Sequence, residues 1–227
     1  MRKKILVVVA HPDDEVLGCG GSIARWSVEG HLVHVLVLAD GVAARFKNSE
    51  GFGDELNKRK CCAEDAAETM GVKKLKMLQM PDNQMDTLPL LEVVKSIERE
   101  ILSFEPSLVL THHSGDVNID HRVVHQAVLA ACRPLPRRSV KELMFFEVLS
   151  STEWNTPASS KVFSPNVFVD ISDNLDTKCE ALKRYDIECQ NFPHPRSVDA
   201  VQHLARFRGT TIGVEAAEAF ELGRLII

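Results

Sequence analysis

The stretch KILVVVAHPDDEVLGCGGS, Lys4 to Ser22, decides how the rest of the chain is read. Its first half is a continuous aliphatic run with no polar alternation, the pattern of a strand buried on both faces. The run breaks at His11 and Pro12 into three consecutive acids, Asp13, Asp14 and Glu15. Acids suit the first turn of a helix, where the dipole favours negative charge. Adjacent carboxylates also repel, however, and ligands in α/β sheets gather outside the carboxyl ends of strands. The junction is therefore a candidate site as well as a helix start.

Working outward, apolar runs rich in valine and leucine recur at His31–Ala39, Lys74–Met80, Ser107–His112 and Glu142–Val148. Between them lie helical segments: SIARWSVEG ending at Gly30, LNKRKCCAEDAAETMG ending at Gly71, LLEVVKSIEREILSF and DHRVVHQAVLAAC. The two glycines sit where helices commonly end. Strands alternating with helices predict βαβ units, hence an α/β fold with a mostly parallel sheet covered by helices on both faces. After Ser150 the pattern loosens into a loop, a strand at VFVDIS and a helix through NLDTKCEALKRYDIE. The tail from Phe192 predicts a proline-bounded loop and two short helices. The chain reads as a single domain, residues 1–227, with Trp26, Phe145 and Phe146 in the core.

Composition narrows the function. The 227 residues are 44% hydrophobic, and 27 basic against 32 acidic side chains give a net charge of -5 with no long basic run. Nucleic acid is an unsuitable partner on these electrostatics. The opening apolar run, Ile5–Ala10, is shorter than the roughly 7 to 15 residues of an export signal. No stretch approaches the roughly 20 apolar residues that span a bilayer. Six scattered cysteines without CxxC spacing fit reduced thiols, so the expected compartment is the cytoplasm.

A second polar cluster, THHSGDVNIDHRVVHQAV, follows the run ending at Leu110 and so lies past another strand end. In a parallel sheet both ends share one edge. Together they offer histidines and carboxylates for a divalent metal, and two histidines with one carboxylate leave zinc an open position for water. Iron and cobalt suit the same ligands. His121 and His125 are four apart and share a helix face, so spacing alone admits either as a ligand. GCGGS lacks the spacing of a dinucleotide loop and predicts a tight turn behind the metal. RFKNSEGFGDE reads as a mobile loop bordering the pocket.

AHPDDEVLGCGG together with DVNIDHRVVHQAV resembles the LmbE-like, or PIG-L, family of zinc-dependent N-deacetylases. RKCCAEDAAETMGV, MPDNQMD and the tail RGTTIGVEAAEAFE add to the likeness. The resemblance implies a Rossmann-like fold with the metal at the carboxyl ends of the strands. It also implies hydrolysis of an acetyl group from an N-acetylglucosamine-type sugar or sugar conjugate, with one Zn2+ per chain. His11, Asp14 and His121 would be the metal ligands, Asp13 the general base, and Arg59 and Asp82 sugar-binding residues. Where the family often has a histidine that stabilises the oxyanion, this sequence has Asn118, whose amide can donate a hydrogen bond but brings no charge. Asp120 would orient a ligand from behind. His125 is left as a helix-surface or partly buried neighbour, His112 and His113 as pocket-lining or hydrogen-bonded residues, and His194 without a role. Two other readings share the motifs: a hydrolase of a non-sugar amide or thiol conjugate, and a nucleotide- or sugar-binding protein of the same fold without catalysis. A homo-oligomer is compatible with all three.

Overall fold

The computed structural model describes residues 2–46, 51–136, 140–156 and 161–227. In chain order the elements are β1 (Lys4–Val9), α1 (Asp14–Val28), β2 (Leu32–Ala39), α2 (Ala43–Phe46), α3 (Phe52–Thr69) and β3 (Lys74–Met80). They continue with α4 (Leu90–Phe104), β4 (Leu108–His112), α5 (Ile119–Ala131), β5 (Glu142–Phe146), β6 (Val167–Asp170), α6 (Leu175–Arg184), α7 (Val198–Thr210) and β7 (Ala217–Leu225).

Among the described residues the strands form one seven-stranded sheet in the order β3-β2-β1-β4-β5-β7-β6. β1 pairs in parallel with β2 on one side and with β4 on the other. The chain therefore winds outward from β1 in one direction through β3 and in the other from β4 onward, and the two directions part between β1 and β4. Such a switch point opens a crevice at the strands' carboxyl ends. The two polar clusters of the sequence flank this crevice.

The period of 2 along β1 sorts its side chains between two layers. Ile5, Val7 and Val9 face a core built with α1, α3, α6 and α7, whereas Leu6, Val8 and Ala10 face α4 and α5. Each fully buried aliphatic side chain contributes about 1.5–3 kcal/mol. A strand with two such faces is rigid, and His11 follows directly from it.

Two expectations need correction. The second tail helix is instead strand β7, antiparallel to both β5 and β6. Its sequence, AEAFELGRL, is rich in helix formers, but tertiary contacts outweigh that weak preference. Phe220 enters the core, and buried Glu218 accepts from the backbone N–H groups of Gly21 (2.9 Å) and Ser22 (2.7 Å) and from Lys178 Nζ (2.5 Å). Those N–H groups are free because α1 is kinked at Cys19, where φ is -150° and ψ 23°. The second correction concerns GCGGS, which lies inside α1 and forms no turn. A Cβ at Gly18 would collide with the Phe146 ring and one at Gly21 would lie 2.6 Å from Ile171, so these glycines permit close packing of the kinked helix. Gly30 and Gly71 do end their helices, at φ 82° and 74°. In the segment read as a mobile loop, Arg45 belongs to α2 and Phe52 opens α3, while residues 47–50 lie outside the described residues. None of the described helices is long and apolar enough to cross a membrane.

Candidate metal centre and cleft

α1 begins immediately after the bend that follows β1. Asp13 occupies the N-cap position with φ 113° and ψ -27°, a conformation that side chains rarely adopt. Its carbonyl accepts the first helical N–H groups, from Val16 (3.0 Å) and Leu17 (2.9 Å). The bend sends the two neighbouring carboxylates different ways. Asp14 turns inward: its Oδ2 accepts from the His11 backbone N–H (2.8 Å) and lies 3.4 Å from His11 Nδ1 and 3.3 Å from His121 Nε2. Asp13 turns toward arginines, with Oδ2 3.2 Å from Arg196 Nη1 and 3.7 Å from Arg59 Nη2.

One ligand atom from each of His11, Asp14 and His121 lies within 4.8 Å of the other two, and all three residues are buried. The donor set fits a divalent cation chemically. It fits structurally as well, because His121 Nε2 is buried with no hydrogen-bond partner, an orphan that a cation would satisfy. Burial alone would raise the Asp14 pKa, yet the neighbouring His121 holds it well below the usual carboxylate range. Burial correspondingly disfavours charge on His121, but Asp14 and Asp116 push its pKa up to about 9. Both shifts express the attraction between the Asp14 carboxylate and the imidazole beside it, and a divalent cation bound there would take the place of the His121 proton.

Behind these residues stand further carboxylates. Asp120 Oδ2 is 3.0 Å from His11 Nε2, and its two oxygens also accept the backbone N–H groups of Asn83 (2.7 Å) and Met85 (2.9 Å). Asp82 Oδ1 lies 3.3 Å from the same His11 nitrogen. With Nε2 facing these carboxylates, Nδ1 is left toward Asp14. Asp116, passed over in the sequence although it lies in GDVNIDH, is 2.9 Å from His121 Nδ1. It also accepts from Ser151 Oγ, from Thr152 Oγ1 (2.9 Å) and from the Asn118 N–H (2.8 Å). Burial opposes its charge, but the contact with His121 and these donors take its pKa down to about 2.

The remaining histidines separate clearly. His112 Nε2 accepts the Ala10 N–H (2.9 Å), which ties the ends of β1 and β4 together, and its ring stacks on His121 at 3.9 Å. His113 is bound to Glu221 (3.0 Å) and to the Lys161 carbonyl (3.2 Å). His125 is buried, with Nδ1 2.9 Å from the His112 carbonyl, and is absent from the group around Asp14. His194 accepts the Arg196 N–H (3.1 Å) and so shapes the loop that carries this arginine.

Above the cluster opens a polar cleft of about 250 Å3, bordered by His11, Asp13, Arg45, Arg59, Asp82 and Asn118 together with Asn83, Glu188 and Arg196. Glu188 gathers three arginines: Arg45 (2.5 Å), Arg196 (2.6 Å) and Arg59 (2.9 Å). Arg59 additionally donates to the Pro12 carbonyl (2.6 Å). Burial raises the Asp13 pKa, and Arg196 and Arg59 restrain that rise. Asn118 caps α5, its Oδ1 accepting the Asp120 N–H (2.8 Å), which leaves its amide NH2 facing Asn83 Oδ1 (3.1 Å) at the cleft. Glu188, Arg196 and Asn83 escaped the sequence reading, since single polar residues in loops carry no pattern. The signal that could have marked Arg196 is FPHPRS, a proline-bounded loop in which an arginine stands two residues after a histidine.

Known proteins share this frame. The chain is 30% identical over 190 residues to YaiS, an uncharacterised deacetylase of Escherichia coli (strain K12), covering 81% of this chain and 91% of that one. It is also 30% identical over 192 residues to the diacetylchitobiose deacetylase of Thermococcus kodakarensis, covering 81% and 69%. Its fold matches that of N,N'-diacetylchitobiose deacetylase from Pyrococcus horikoshii, solved with an inhibitor, with a TM-score of 0.80 at 23% identity over 98% of this chain and 84% of that one. The PIG-L family model, described as GlcNAc-PI de-N-acetylase, matches residues 6–132. That span runs from β1 to the end of α5 and takes in both clusters at the switch point, so the chain belongs to the PIG-L family.

Proposed function

We propose that this protein is a zinc-dependent N-deacetylase that hydrolyses the acetamido group of an N-acetylated sugar or sugar conjugate, releasing acetate and a free amine. The observation that carries the reading is the pairing of an inward carboxylate, Asp14, set between two imidazoles, with an outward carboxylate, Asp13, at the floor of a polar cleft. The relatives named as deacetylases of N-acetylated sugars support the substrate class.

His11, Asp14 and His121 would hold the metal. A divalent cation bound there supplies Lewis acidity, lowering the pKa of a water it contacts toward about 7 and polarising an amide carbonyl. Asp13 takes a proton from the attacking water and returns it to the departing amine. Its burial favours holding that proton, while Arg196 and Arg59 keep the carboxylate in place. Asn118 presents its NH2 to the oxyanion, since capping α5 fixes which end of the amide faces the cleft. Arg59 and Asp82 border the cleft and would contact the sugar hydroxyls, although both also brace the site: Arg59 through Pro12, Asp82 through His11.

Acetate release should be measured across free N-acetylated sugars, their glycosides and nucleotide conjugates, and non-sugar and thiol-bearing acetamides. The proposal expects turnover among the sugars and little among the rest. Preference for the non-sugar amides would overturn the substrate class.

A further inference from the structure

Glu15 is a buried carboxylate that no step above uses. Its Oε1 accepts from the hydroxyl of Tyr185 (2.6 Å) and its Oε2 from the backbone N–H of Asp13 (3.1 Å). Tyr185 is itself 1% exposed. The Asp13 N–H belongs to the same peptide unit as the Pro12 carbonyl, which Arg59 Nη2 grips at 2.6 Å. Arg59 in turn lies over the Tyr185 ring, 5.4 Å from its centroid. The contacts close a ring: Arg59, the Pro12–Asp13 peptide, Glu15, Tyr185 and back to Arg59.

This ring holds a particular torsion. Rotation about the N–Cα bond of Asp13 turns the Pro12–Asp13 peptide plane against the Asp13 side chain, so gripping that plane at both its oxygen and its N–H sets φ directly. The value it sets, 113°, is one that a residue with a Cβ rarely adopts. Such a conformation persists only where its surroundings over-determine it. Packing alone would not retain a glutamate here, because a buried carboxylate is costly unless both oxygens are satisfied.

We propose that Glu15 and Tyr185 are positioning residues that lock the bend at Asp13, so that Asp13 faces the cleft while Asp14 faces the histidines. The kinetic half of this inference rests on the deacetylase reading; the structural half does not. Glu15→Gln keeps the shape but has one carbonyl oxygen, so it can serve both partners only by accepting from Asp13 and reversing the second bond, its NH2 donating to the Tyr185 oxygen, which replaces a charge-assisted pair of contacts with a weaker neutral one. Crystal structures of zinc-loaded Glu15→Gln should show the Asp13 φ moved away from 113°. kcat should fall by about 10- to 100-fold, the scale of other supporting contacts, with KM within twofold and bound zinc unchanged. Tyr185→Phe, which removes only a hydroxyl, should act in the same direction at about 5-fold, the scale of one hydrogen bond. The double variant should be no worse than Glu15→Gln, because both residues act through one contact chain. Should Glu15→Gln fail to fold, Tyr185→Phe decides alone. An unchanged Asp13 backbone with wild-type kcat in the folded variant overturns the proposal, as does a loss of kcat that merely tracks lost zinc. If the wild type releases no acetate from any substrate, the deacetylase reading fails, and the Asp13 torsion in the variant crystals still decides this one.

Discussion

Two strand-to-helix junctions meet at the switch point, and they are built by opposite means. At the entry to α5 every local rule is obeyed. Asn118 has extended φ and ψ of -70° and 128°, its side chain caps the helix, and Asp116 secures its N–H. At the entry to α1 the N-cap residue has a left-handed backbone and no side-chain capping bond. That conformation costs on the order of 1–3 kcal/mol. An orthodox junction suffices to deliver one histidine and its supporting carboxylates. On the mechanism proposed above, aiming two adjacent carboxylates at two different tasks requires the bend, and the strain falls where that mechanism places the chemistry.

The comparison breaks first at the acids. Asp13→Asn should lower turnover by about 100- to 10,000-fold, the span of general acid–base catalysis, while binding zinc nearly normally. Asp14→Asn should instead lose zinc. If metal analysis and kinetics found the two variants alike, the bend would not be dividing labour between them.

At the regular junction, His121→Ala should lose most zinc affinity and His125→Ala should keep it, because of these two helix histidines it is His121 that reaches Asp14. A titration with zinc that reversed this order would refute the ligand set. Asn118→Asp preserves the capping acceptor and deletes the amide donor, so its melting temperature should hold while kcat falls about 100-fold. Asn118→Ala should also forfeit the cap, at about 1 kcal/mol. Asp116→Asn should weaken zinc binding by about 10- to 100-fold through the freed His121 ring. Wild-type affinity in that variant would mean that the ring does not depend on Asp116 and that the stacked His112 suffices to hold it.

How much of this was readable beforehand follows the same divide. The buried parallel strands announce themselves as unbroken Val and Leu runs, and the α5 entry follows local capping rules, so both clusters could be assigned to strand ends. β7 could not, because its alanines and glutamates favour a helix until Glu218 finds the N–H groups that the kink in α1 exposes. The glycines of α1 misled for a related reason: what they serve is the nearness of Phe146 and Ile171, a tertiary fact. Arg196, Glu188 and Tyr185 come from a part of the chain more than 170 residues beyond Asp13 in sequence and show no periodicity. They acquire meaning only when the fold sets them around the bend.

The central claim is that the centre formed by His11, Asp14 and His121 drives amide hydrolysis with Asp13 as its base. Its most direct test is acetate release from N-acetylglucosamine and N,N'-diacetylchitobiose by protein stripped of metal and then titrated with zinc. The account predicts no release from stripped protein and recovery that saturates at about one zinc per chain, as a single site with three protein ligands requires. Undiminished release from rigorously metal-free protein, or none from any N-acetylated sugar with zinc bound, would contradict it.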